Sequence, residues 1–133
     1  MSTTPVPDWK QIREKAGPYP PQAYQFVREG LAHTVKVIHG EHGDAEGADE
    51  SRHVSGQQLC LGLKDFATRQ YGLLARTVLG SWGVRKTEDF GRIVFAMVEA
   101  GWMRKQDEDT LTDFQDVYDF DEAFGTLKAG AGR

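Results

Sequence analysis

The stretch that most limits what this chain can fold into runs from Thr87 to Gly101. Phe90, Ile93, Val94, Met97 and Val98 recur at i, i+3, i+4, i+7 and i+8, one broad apolar stripe at the period of an α-helix. A stripe of that width must be covered, so the rest of the chain has to supply apolar surface to meet it. Thr87 is placed to cap this helix through its hydroxyl, and Glu88 and Asp89 put negative charge at the positive end of the helix dipole. Gly101 suits a left-handed stop. Burial against Leu59, Leu63, Phe66, Val78 and Leu79 is the expected arrangement.

The flanking segments complete an architecture. Ser55-Gly56-Gln57-Gln58 has the form of a capping box and opens a helix with Leu59, Leu63, Phe66, Ala67 and Tyr71 on its inner side, ending at Gly72. A helix from Leu73 to about Ser81 follows at once, with Leu74, Ala75, Val78, Leu79 and Trp82 predicted to be buried, so the two form an angled pair. After Gly101, Trp102 to Lys105 reads as one short strand and Gln115 to Phe120 as its partner. The sequence therefore predicts a mainly α protein: a single helical domain over 1–133, with a helix-turn-helix, winged-helix-like C-terminal half that ends in a short β-hairpin. Earlier in the chain, Asp8 to Gly17 reads as a short helix anchored by Trp9 and Ile12. Pro18, Pro20 and Pro21 lead into a long helix to Ile38, with Ala23, Phe26, Val27, Leu31, Val35 and Ile38 on its buried stripe. Order is expected over about 8–127, with an exposed, mobile acidic loop over 40–52, a last helical turn at Asp121 to Leu127 and a flexible tail over 128–133.

Charge divides the chain. Net charge is −4, yet residues 64 to 92 carry Lys64, Arg69, Arg76, Arg85, Lys86 and Arg92 against three acids, while 107 to 122 carry eight acids and no base. Arg69, Arg76, Arg85, Lys86 and Arg92 are the residues a nucleic-acid-binding surface would use, with the hairpin as wing. Glu88 and Asp89 at the head of the central helix and the acidic hairpin tip oppose that use, because phosphates repel them.

Residues able to do chemistry are few. His39, His42 and His53, with Asp44 near them, are the candidate metal ligands, but their spacing matches no zinc pattern and no cysteine joins them. Glu29 and His33 share one helix face as an ordinary side-chain pair. The one cysteine, Cys60, lies inside an apolar helical pattern and reads as a buried structural thiol. The acidic run from Asp107 has Leu111, Thr112 and Tyr118 where a calcium loop needs oxygen, glycine and a bidentate acid. No phosphate-binding glycine loop or G-x-S-x-G elbow occurs, so no catalytic residue is assigned and no cofactor is expected. His53 reads as a side chain supporting a loop-to-helix junction and Ser55 as an N-cap.

Several clusters together resemble a known family. Tyr19-Pro20-Pro21 with Tyr24, Phe26, Val27 and Gly30-Leu31, then His53-Val54-Ser55-Gly56, then Val78-Leu79 with Trp82-Gly83, begin the pattern. Thr87 with Asp89-Phe90-Gly91 and Ile93-Val94-Phe95, and Asp113-Phe114 with Val117-Tyr118-Asp119-Phe120 and Ala123-Phe124, complete it. Over about residues 19 to 124 the chain is similar to a family of small uncharacterised bacterial proteins. The resemblance implies a bacterial protein of this length and transfers no catalytic residue, cofactor or partner.

The leading functional expectation is a non-catalytic protein-interaction or adaptor module that binds another protein or itself. A winged-helix nucleic-acid-binding regulator comes second, and a small enzyme or metal protein using the histidines third. The apolar runs are too short to span a bilayer and Met1 to Pro5 does not read as a leader, so no membrane partner and a cytoplasmic location are expected.

Overall fold

A computed structural model describes residues 2–3, 17, 19–40, 53–101, 103–105 and 109–124. Its elements are β1 (Ser2–Thr3), α1 (Pro21–His39), α2 (Gly56–Tyr71), a 3₁₀ turn (Gly72–Leu74) and α3 (Ala75–Ser81). They continue with α4 (Thr87–Glu99), β2 (Met103–Arg104), a second 3₁₀ turn (Leu111–Phe114) and α5 (Phe120–Phe124). The fold is mainly α. The expected helix over Asp8 to Gly17, the acidic loop from Glu41 and the tail over 128–133 lie outside the described residues.

Pro20, held extended, leads into α1 with Pro21 in its first turn, where the missing N–H leaves no helical bond unmade. Ser55 opens α2 with both halves of the capping box: its Oγ accepts from the Gln58 N–H at 3.1 Å and its own N–H donates to Gln58 Oε1 at 2.9 Å. The two helices run antiparallel, with Phe26 against Phe66 and Tyr71 at one end and Thr34 against Gly62 further along. Glycine sets their separation. A Cβ on Gly62 would stand 1.8 Å from Thr34 Oγ1, and one on Gly30 would stand 2.2 Å from Leu63 Cδ2. Thr34 turns its hydroxyl back to the Gly30 carbonyl at 2.7 Å, so this buried donor is paired within the tight crossing. Ile38, expected on the buried stripe, is exposed in the last turn of α1, one turn beyond Thr34, the last buried residue of that helix.

Leu74 is also exposed. The chain leaves α2 through three residues of 3₁₀ helix, whose three-residue turn shifts the register, so Leu73 and Leu74 stand out while Ala75 and Leu79 point inward. Tyr71, Trp82 and Phe26 then form one aromatic group with centroids 5.6 to 6.2 Å apart.

α4 carries the expected stripe. Phe90, Ile93, Val94 and Met97 are fully buried, while Val98 is half-buried at the edge of the stripe. Its cap differs from expectation. Lys86 is the N-cap residue, and Asp89 reaches back so that its Oδ2 accepts the N–H groups of Arg85 and Lys86 at 2.9 and 3.2 Å. Thr87 is buried and does something else: its hydroxyl donates to the Phe114 carbonyl at 2.6 Å and accepts from the Val117 N–H at 3.2 Å. Gly101 stops the helix at φ 84°.

The β-hairpin does not form among the described residues, and with it the wing of a winged helix is missing there. Met103–Arg104 pairs antiparallel with Ser2–Thr3, in the register Ser2 to Arg104 and Thr3 to Met103. Leu111–Phe114 is instead a 3₁₀ turn, and the chain continues through turns to α5. The aromatic residues explain the difference, since each finds a helix to pack on. Phe114 fills the space left by Gly56 and Gly91, where an added Cβ would come within 2.8 and 2.9 Å of its ring. Tyr118 donates its hydroxyl to the Cys60 carbonyl at 2.7 Å, and Phe120 packs on Phe90 with centroids 5.7 Å apart. A strand would have turned half of these rings to solvent.

Candidate functional site

Two places hold residues that sequence reasoning singled out, and a third stands apart from them. The first is a histidine junction. His39 is the last residue of α1 and His53 stands two before the N-cap of α2. His39 Nε2 lies 2.7 Å from the His53 carbonyl oxygen, which can only accept, so Nε2 carries the proton. His53 Nε2 in turn lies 3.2 Å from Asp109 Oδ1, and Asp109 is buried although it stands 56 residues further on. The three residues join the end of α1, the lead-in to α2 and the segment before the second 3₁₀ turn.

An imidazole oriented by a buried carboxylate is half of a general-base arrangement, which also needs a nucleophile or a bound water in reach. Ser55, the nearest hydroxyl in sequence, caps α2. Cys60 is fully buried, and burial pushes its thiol far above the ordinary range, with the Glu88 charge adding to the effect. His42 lies outside the described residues, and among those described no three His, Cys, Asp or Glu side chains gather as a metal-holding group.

The second place is the basic zone, which the fold divides. Arg69 donates through Nε to Asp65 Oδ2 at 2.8 Å, and the same oxygen is 2.7 Å from His33 Nε2. That hydrogen bond from His33, with Arg69 adding to it, holds the Asp65 carboxyl below the usual carboxylate range. Arg76 is paired with Asp121 of α5. Arg92 is exposed beside Tyr19, whose hydroxyl donates to Asp89 Oδ1. Burial first, and the bond to Asp89 second, push the Tyr19 phenol up to about 12. Arg85 and Lys86 present exposed side chains while their backbone N–H groups are held by Asp89. Asp89 is thus enclosed by donors, and the acid that seemed to oppose phosphate at the head of α4 is buried.

The third place was not foreseen. Leu73 is 70% exposed and Leu74 54%, beside the half-buried Tyr71–Trp82 pair. At the opposite end of α2, Leu111 is 52% exposed. Their apolar spacing had marked Leu73 and Leu74 as part of a helix, and the only sequence signal against that was Gly72, which sits at φ 55°. Asp109 was likewise missed, since nothing in its acidic surroundings distinguishes it from its neighbours.

No protein-family model, curated protein or solved structure matches this chain. Among the described residues no helix is long and apolar enough to cross a membrane.

Proposed function

We propose that the protein is a non-catalytic interaction module that binds another protein or a second copy of itself. One observation carries this reading: two adjacent leucines, Leu73 and Leu74, stand in solvent at the end of α2 next to a half-buried tyrosine–tryptophan pair. Tyr and Trp are enriched at interface centres, and exposed leucines beside them add apolar area whose burial supplies affinity. The polar groups with chemical potential are meanwhile engaged in holding segments together: His39 and His53 at the junction, Thr87 against 114–117 and Asp89 under Tyr19. On this reading the motif residues are builders of the fold: Tyr19 bonds Asp89, Thr87 bonds the Phe114 carbonyl, and Phe114 fills the space beside Gly56 and Gly91. A nucleic-acid-binding role is the weaker reading, since Arg69 and Arg76 already face Asp65 and Asp121.

The test is site-specific photo-crosslinking in source cells, with the reactive residue at position 73 and, as control, at the exposed Ala32. A discrete protein adduct from position 73 and none from position 32 is the expected outcome. Equal labelling at both positions, or none at 73, overturns the reading.

A further inference from the structure

Cys60 is fully buried, yet the chain that covers it is not part of the helical framework. Its carbonyl accepts the Tyr118 hydroxyl at 2.7 Å. Burial first, and the neighbouring Cys60 thiol second, push the Tyr118 phenol up, so thiol and hydroxyl lie near each other. On its other side the thiol feels the charge of Glu88, in the first turn of α4. Tyr118 itself is half-buried, with Lys64 Nζ 5.9 Å from the centre of its ring. The ring therefore stands between Cys60 and the surface.

Residues 110–124, which bring Tyr118 there, are fastened to the body by side chains. Their own backbone bonds run inside the stretch: the N–H groups of Asp113, Gln115 and Ala123 donate to the carbonyls of Thr110, Thr112 and Asp119. Among the described residues, no backbone-to-backbone hydrogen bond joins the stretch to α1, α2, α3 or α4. What holds it is the Thr87 hydroxyl between the Phe114 carbonyl and the Val117 N–H, the Tyr118 hydroxyl, the Arg76–Asp121 pair, and the rings of Phe114 and Phe120. Lifting it breaks no helix cap. Ser55 and Gln58 still close the capping box of α2, and Asp89 still holds the N–H groups of Arg85 and Lys86 ahead of α4. The close crossing of α1 and α2 at Gly30–Leu63 and Thr34–Gly62 is untouched as well. Segments attached in this way open locally, at free energies below that of global unfolding.

We propose that residues 110–124 are a strap that opens as one unit while α1 to α4 stay folded, and that Cys60 is the group its opening exposes. Closed, the strap keeps the thiol protonated and unreactive; open, it leaves an ordinary thiol in solvent, able to exchange with disulfides. This goes beyond the interaction-module reading and does not depend on it.

Labelling of the purified full-length chain with an aromatic disulfide reagent tests it, because Cys60 is the one cysteine. In buffer, labelling should run at least about tenfold faster than the population of globally unfolded chain allows, and its urea dependence should be less than about half as steep, since the strap exposes a small part of the surface that global unfolding does. Hydrogen exchange says which segment moved. The Val117 amide, which donates to Thr87, should exchange through an opening as frequent as the one that labels the thiol, while the Leu63 and Ile93 amides inside α2 and α4 stay protected until global unfolding. Phe114→Ala should speed labelling by about tenfold or more, because the closed strap alone buries that ring. Should this variant not fold, the wild-type amides decide. Labelling that matches global unfolding in rate and urea dependence overturns the proposal. So does fast labelling with the Val117 amide as protected as that of Leu63, since the thiol is then reached by another route, and so does a folded Phe114→Ala chain that labels no faster.

Discussion

The α1–α2 pair and the segment from Asp109 to Phe124 are both held by aromatic rings and by glycines that admit a close neighbour, yet they come from different kinds of sequence information. In the pair, Phe26, Gly30 and Thr34 lie on one face of α1 and Leu63 and Gly62 lie opposite on α2, so the contact repeats along two periodic helices. In the segment, Phe114, Tyr118 and Phe120 each touch a different part of the helical body and no period relates them. A periodic contact can lose one member and keep the rest, whereas a set of single anchors gives way where one is lost. The segment is therefore the more sensitive region to a single large-to-small change.

Phe114→Ala carries the largest expected effect, a loss of about 3–5 kcal/mol, because it removes a fully buried ring from the Gly56–Gly91 seat. Urea unfolding measures it, and a loss below about 1 kcal/mol would show that the segment does not depend on this anchor. Gly62→Ala comes next, since the new methyl must displace Thr34; overpacking of that kind costs about 1–3 kcal/mol. Paired with the Phe114 result, it shows whether the periodic contact yields more gently than the single anchor.

The third prediction turns on pH. Tyr19 holds its proton up to about 12 in the folded chain, and an unfolded tyrosine loses it near 10, at about its ordinary value. The native state then binds more protons between those values, so the contribution is complete below about pH 10 and disappears as pH rises towards 12. Tyr71 and Tyr118 are raised by burial too and add slopes of the same sign. Tyr19→Phe should therefore make the alkaline fall in unfolding free energy shallower without abolishing it; an unchanged slope would mean that burial and the bond to Asp89 do not hold the phenol's proton above its ordinary range. The smallest effect belongs to Leu73→Ser, which should alter stability by no more than about 0.5 kcal/mol by thermal unfolding, as exposed positions do. A large loss there would place Leu73 in the fold and not on a docking surface.

Much of the helical framework was legible before the structure. The long helix from Pro21, the capping box at Ser55 and the buried stripe of α4 follow from residues within a turn or two of each other. The position of His53 at a junction was legible for the same reason, while its partner Asp109 was not. Thr87 shows the limit within one residue. Its type suits an N-cap, and only the arrival of Phe114 and Val117 gives its hydroxyl a donor and an acceptor role elsewhere, leaving Asp89 to satisfy the first N–H groups.

By itself the sequence determined where the long helices lie, most of the apolar stripe of α1, α2 and α4, and where charge of each sign collects along the chain. Those properties depend on periodicity, capping and composition, which act between near neighbours. Tertiary structure alone decided that Tyr19 lies under Asp89, that His53 meets Asp109, that 115–120 follows the helical body instead of forming a strand, and that Leu73 and Leu74 stay in solvent. Each of these depends on which distant surface still has room once the helices have packed, and no local pattern encodes that room.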